Sequence, residues 1–311
     1  MLPAASKSAS RALLVLLVGS SCLGQIACGG GGQRAGGRTG QIQVVAAENF
    51  WADLARQVGG QRAVVRDVLS DPNTDPHEYE STPADARAFA AADLVILNGA
   101  GYDAWAGKLV AANPNPARRV LNIAQLLGRR VGDNPHFWYD PSYVSRAVQA
   151  MASDLEQIDP AGRSYFESRA AATLAAFAPE NEQIRQIRAQ FAGQMIGSTE
   201  SVFVPLARAL GLNLISSASF MNAMSAGTDP PASAVIAFQN QISSHLTRLL
   251  VYNLQTPTTL ASQMRALAER EGIPVVAVTE TMPLRFPNFE AWQGAQLGAL
   301  ATALQTGPRA G

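Results

Sequence analysis

The strongest constraint on how this chain can fold is an alternation of two patterns. IQVVAA (42–47), AVVRDVL (63–69), LVILNG (94–99) and RRVLNI (118–123) are short aliphatic runs, and segments of helical spacing such as NFWADLARQVG and TPADARAFAAAD separate them. Short apolar runs between helices read as strands buried on both faces. Strands joined through helices lie parallel, with the helices covering both faces of the sheet. The alternation lapses over residues 142–192, where helical stretches flank QIDPAGR and no strand pattern occurs. It resumes with QMIGST (194–199), LNLISS (212–217), RLLVYN (248–253) and PVVAVT (274–279). The expected fold is α/β: two lobes, residues 41–141 and 193–308, each a mostly parallel sheet flanked by helices. The helical region between them, with its long second stretch, is the connector.

The first 28 residues are of another kind. Lys7 and Arg11 precede the apolar run ALLVLLVG, small residues follow, and the segment closes on QIAC, the layout of an export signal. It is too short for a comfortable membrane span. Both cysteines of the chain, Cys22 and Cys28, lie here, so the body has neither thiol nor disulfide. Cys28 is preceded by a small residue and followed by glycines, as a lipidated cysteine would be; simple cleavage of the signal is the alternative. Residues 29–40, GGGGQRAGGRTG, cannot pack and read as a tether. The whole chain has 24 basic and 24 acidic residues and no basic cluster that could follow a phosphate backbone, which argues against nucleic acid as a partner.

Only three histidines occur, and two of them share a context. His77, in NTDPHEYEST, follows a proline and precedes a helix start marked by Thr82 as N-cap, Pro83 at the first helical position and Asp85 in the first turn. His136, in GDNPHFWYDP, also follows a proline and precedes a helix that begins at Asp140-Pro141. Both stand in loops between the C-terminal end of a strand and a helix, where open parallel sheets bind their ligands. His245, in QISSHLTRLL, reads as a surface residue on a helix face.

DPHEYESTPADARAFAAADLVILNG, NPHFWYDP and YNLQTPTTLASQMRALAEREGIPVVAVTETMP occur in this order behind a lipoprotein-like leader. Together they resemble the metal-binding, zinc/manganese type (cluster A-I) solute-binding proteins of bacterial ABC transporters, over nearly all of residues 42–306. The resemblance implies two lobes joined by one long helix and a single divalent ion, zinc or manganese, held between them. It also implies a monomer, anchored to the membrane through its lipid outside the cytoplasm, that delivers the ion to an ABC permease. Position by position, the implied ligands are His77, His136, Glu200 in GSTESVF and Glu280 in VTETMP. Glu280 departs from the aspartate usual there by one methylene.

Two imidazoles and two carboxylates suit a borderline divalent cation. In the family that the chain resembles, two histidines with two acids are commoner in the manganese group and many zinc members carry a His-rich loop where GYDAWAGKLVAANPN has no histidine, whereas VTETMP resembles branches labelled zinc; the resemblance leaves the metal open. Each acid also has a plainer reading: Glu200 as a cap or dipole partner for the helix after it, Glu280 as a solvated loop acid. Asp75, Glu78 and Glu80 are second neighbours of His77 or surface groups. Neither HExxH, GxSxG nor a Ser-His-Asp set occurs, so a secreted zinc hydrolase is a poor alternative and no enzyme is expected. A metal-binding surface adhesin is the remaining alternative.

Overall fold

A computed structural model describes residues 40–71, 74 and 79–308. Cys28, the leader and His77 lie outside the described residues.

The first sheet consists of β1 (Ile42–Glu48), β2 (Ala63–Leu69), β3 (Leu94–Leu97) and β4 (Arg119–Asn122), all parallel in the order β2-β1-β3-β4. Helices α1 (Asn49–Gly59), α2 (Pro83–Ala91) and α3 (Ala104–Ala112) make the crossovers, and the short α4 (Ile123–Leu126) follows β4. The second sheet consists of β5 (Met195–Ser198), β6 (Asn213–Leu214), β7 (Leu250–Asn253) and β8 (Val275–Val278), again parallel, in the order β6-β5-β7-β8. The two lobes are thus wound alike. In each, the order reverses direction beside the first strand, which puts the crevice outside the C-terminal ends of β1 and β3 in one lobe and of β5 and β7 in the other.

Between the sheets run α5 (Pro141–Ile158), α6 (Arg163–Ala176) and α7 (Ala178–Phe191). The connecting helix extends from Arg163 to Phe191 with one interruption at Phe177. Pro179 in the next turn supplies no N–H to continue the ladder, which accounts for the break. The second lobe adds α8 (Val204–Leu210), α9 (Ala218–Ser225), α10 (Ala232–Ser243) and α11 (Thr259–Arg270), and α12 (Phe289–Thr306) returns along the molecule to pack on α7 and α1.

Local sequence explains the elements that flank the cleft. Thr82 and Asp85 close a full capping box, each side chain accepting the other's backbone N–H, so α2 starts where Pro83 permits it. Asp140 caps α5 by accepting the N–H of Ser142. One continuous apolar core runs from β1 and α1 through Trp138 and Trp292 to β7 and β8, so the lobes share a buried seam. Phe50 of α1 stands between Trp138 and Trp292, with ring centroids 4.3 and 6.3 Å away.

Candidate metal site

Three of the four side chains singled out in the sequence lie among the described residues, and each is fully buried at 0% exposure: His136, Glu200 and Glu280. They come from three loops, two of which follow strands directly. His136 lies in the loop that leads from α4 into α5, Glu200 two residues beyond β5, and Glu280 two residues beyond β8. His136 Nε2 is 3.7 Å from Glu280 Oε2. Glu200 and Glu280 meet through one amide group: Asn253 Nδ2, at the end of β7, donates to Glu200 Oε2 at 3.0 Å and to Glu280 Oε1 at 2.7 Å. Thr256 Oγ1 donates to the other oxygen of Glu200. Among the described residues no three His, Cys, Asp or Glu side chains stand close enough together to hold an ion by themselves.

The histidine is oriented by its own loop. Asn134 Oδ1 accepts the backbone N–H of His136 at 3.0 Å and lies 2.9 Å from its Nδ1. An oxygen that already accepts one N–H can only accept from Nδ1 as well. Nδ1 therefore carries a proton, and the ring is fixed with Nε2 directed toward Glu280, the nitrogen left for a metal. Tyr102 and Trp138 pack edge-on against the imidazole, at centroid distances of 6.2 and 5.3 Å. The same loop crosses to the second lobe, where Asn134 Nδ2 donates to the carbonyl of Ser201 at 2.8 Å.

The plainer readings of the two acids do not describe what is seen. Glu200 occupies the cap position of the helical turn Ser201–Phe203, but its side chain makes no capping hydrogen bond. Glu280 is buried, not solvated, and its loop is fastened by Gln255, whose Oε1 accepts the N–H groups of Glu280 and Thr281 at 2.6 and 2.8 Å. His245 differs from the expectation. It lies beyond the C-terminus of α10 in a left-handed turn (φ 53°), not on the helix, with its side chain half exposed and 3.8 Å from Glu271.

Sequence reasoning passed over a polar layer behind these groups. Asn98, after β3, accepts from Trp51 Nε1 at 3.1 Å and donates to the carbonyl of Pro135 at 2.9 Å, tying the His136 loop to the first sheet. Burial pushes the Tyr102 hydroxyl well above the ordinary tyrosine range, and the neighbouring Glu280 and Glu48 carboxylates push it further. Burial likewise holds the Glu48 carboxyl well above the carboxylate range, with Asp103 adding to the effect. The signal that was available was NLQT directly after VY: a polar run at the end of a buried strand, three of whose side chains (Asn253, Gln255, Thr256) hydrogen-bond Glu200 or the Glu280 loop. A cleft of about 370 Å³ opens beside His136, lined by Tyr102, Asp133, Asn134, Ser201, Asn222 and Ser225 among others.

The profile of the family described as "Zinc-uptake complex component A periplasmic" (ZnuA) matches residues 44–303. The chain is 28% identical over 140 residues to the manganese-binding lipoprotein MntA of Halalkalibacterium halodurans, an alignment covering 43% of this chain and 45% of that protein. It is 25% identical over 205 residues to the metal ABC transporter substrate-binding lipoprotein FimA of Streptococcus parasanguinis, covering 61% and 65%. The matches therefore span between about half and two thirds of these relatives. In fold, the chain superposes with a TM-score of 0.70 on the metal-free form of a mutant periplasmic metal-binding protein from Candidatus Liberibacter asiaticus, at 16% identity over 85% of this chain and 99% of that one.

Proposed function

Since the chain belongs to the ZnuA family of periplasmic zinc-uptake components, we propose that it is an extracytoplasmic solute-binding protein that holds one divalent ion, zinc or manganese, between its lobes. The ligands are His77, His136, Glu200 and Glu280. The protein acts as a monomer, hands the ion to an ABC permease and is anchored to the membrane through lipid on Cys28. It is not an enzyme: the family is one of transport components, and the ion is cargo.

One observation carries this reading. A fully buried imidazole, held by Asn134 so that Nε2 points away from it, faces a fully buried carboxylate at 3.7 Å, and a second buried carboxylate adjoins across a single amide. Two interior carboxylates beside one imidazole are costly unless a cation is shared among the groups.

Titration against a chelator tests it. Metal-replete wild-type protein should retain one ion per chain. His136→Ala and His77→Ala should each weaken binding at least about tenfold, the scale of even an indirect loss at a metal site. His245→Ala should leave the affinity unchanged. A stoichiometry of zero or two, or equal losses from His136→Ala and His245→Ala, would show that the ligands lie elsewhere.

A further inference from the structure

His136, Glu200 and Glu280 are wholly buried, so an ion must come to them through an opening whose walls include one of them. The cleft beside His136 meets that condition. Its near wall belongs to the first lobe, at Ala100, Gly101 and residues 132–136, and its far wall to the second, where Ser201, Asn222 and Ser225 stand. Both walls are tied to the loops of the buried side chains. Asn134 Oδ1 holds His136 through its backbone N–H and Nδ1, while Asn134 Nδ2 reaches across to the carbonyl of Ser201, the neighbour of Glu200. Ser225 Oγ, at the end of α9, accepts the N–H of Ser201 at 3.0 Å. The near wall is also strained. Gly99, Ala100 and Gly101 are all left-handed, with φ of 78°, 56° and 94°, a conformation that a residue with a Cβ such as Ala100 adopts at a cost and that gathers at functional sites. The Asp103 carboxylate pins this turn by accepting the N–H groups of Asn98 and Gly99.

The lining chemistry selects what the cleft takes. Among the described residues Asp133 is its one acid, and no lysine or arginine lines it. Arg129 of the same loop stands instead over the Tyr143 ring, 5.6 Å from its centroid. A small anion would meet a carboxylate there and no counter-charge. A divalent cation that keeps its water shell would meet an attracting charge, together with hydroxyls and amides to bond its water. The volume of about 370 Å³ has room for roughly a dozen waters at about 30 Å³ each, enough for an ion with about six of its own. Resting on the reading of His136 as a ligand, we propose that this cleft is an outer site for the hydrated divalent ion, with Asp133 as its landing carboxylate, and the route by which the ion reaches His136.

A residue on the route acts on the barrier and on neither end state, so it changes association and release by the same factor and leaves Kd alone. Asn222→Phe and Ala226→Phe each place a ring in the cleft from an exposed position of its far wall. Stopped-flow association of Mn²⁺, and its release to excess chelator, should both slow in each variant by one common factor, with Kd within about threefold of wild type. Asp133→Asn should slow association about tenfold at low ionic strength and leave it less sensitive to salt. Leu284→Phe, at an exposed position beyond Glu280 and outside the cleft, is the control and should change neither rate. The melting temperature of each ion-free variant shows whether it folds, and the second ring keeps the test open if the first upsets folding. Unchanged rates in the Asn222 and Ala226 variants overturn the proposal, as does equal slowing in Leu284→Phe or a loss of affinity carried by release alone. Wild-type rate and salt dependence in Asp133→Asn overturn the role given to that carboxylate. A wild type that binds no ion, or a His136→Ala variant that binds as wild type does, defeats the ligand reading itself, whereas normal binding with rates indifferent to the cleft defeats only this route.

Discussion

Asn253 holds two buried carboxylates with one amide, and its place at the end of β7 leaves it little freedom to do otherwise. It supplies both Glu200 and Glu280 with an N–H donor in largely buried surroundings. Replacing the amide by a carboxylate in Asn253→Asp removes both donors and adds a third acid of the same sign. The expected outcome is a loss of about 3 kcal/mol of stability in the presence of chelator, the scale of an uncompensated interior charge. A bound divalent ion should restore much of that loss, because three acids then share two positive charges. Urea unfolding of the variant with chelator and with Mn²⁺ reads both effects. A variant as stable as wild type in chelator would mean that the amide does not govern the pair.

At the scale of elements, α7 brings an acid into the junction of α1 and α12. Glu180 is 8% exposed, and burial, reinforced by Glu290 on α12, pushes its carboxyl up to about 8. Gln57 of α1 bridges Glu290 to Asp53 at 3.0 and 2.9 Å, so three acids and one amide meet where the connector touches both lobes. An unfolded glutamate titrates near 4.3. Between that value and about 8 the unfolded chain gives up the proton while the native protein keeps it, so each step upward in pH favours unfolding. The stabilising contribution is complete below the unfolded value and lost as pH rises through the folded one. Glu180→Gln should flatten this slope and stabilise the protein by up to about 5 kcal/mol at pH 8 and by little at pH 4. Identical urea midpoints for mutant and wild type at both pH values would refute the assignment. The elements themselves were legible because strands buried on both faces leave continuous apolar runs and because caps such as Thr82-Pro83 leave local marks. LNLISS reads as a longer strand than it forms: β6 pairs only at Asn213 and Leu214, since Ser216 turns its hydroxyl to the N–H of Ser198 instead of extending the strand. The histidines stood out by scarcity and shared context, whereas Glu200 and Glu280 came only from the family resemblance. Asn134, Asn253 and Glu48 did not stand out, because an amide whose partners lie 27 and 53 residues away, or an acid closing a strand, has no spacing that marks it before the fold is known.

Over the whole molecule, the lobes are fastened in a way that limits how the ion can enter. Asn49 exchanges two hydrogen bonds with the backbone of Met282, Asp53 accepts the N–H of Phe289, and the Tyr139 hydroxyl donates to the carbonyl of Thr279, all buried and all between the lobes. Around them Phe50, Trp138 and Trp292 are at most 1% exposed within the single core. Opening the lobes as rigid bodies would break these four hydrogen bonds, at about 1 kcal/mol each. It would also wet the aromatic rings, each contributing about 1.5–3 kcal/mol by burial. These contacts do not involve the ion, so a cost of that size leaves the open form scarcely populated in the ion-free protein as well, at a factor of ten for each 1.4 kcal/mol. Entry and exit must then proceed through local movement of the strand-end loops, with the lobes staying in place. Small-angle scattering of ion-loaded and chelator-stripped protein should give the same radius of gyration, near 18 Å for a folded body of roughly 270 residues. Local movement should appear instead as hydrogen exchange that slows on ion binding in residues 131–137 and 254–258, with the seam of α1, α12 and Tyr139 protected in both states. A compaction on the order of 1 Å, or exchange at Asn49 and Met282 as fast as in the loops when the ion is removed, would mean that the seam opens and that the lobes close on their cargo as a hinge.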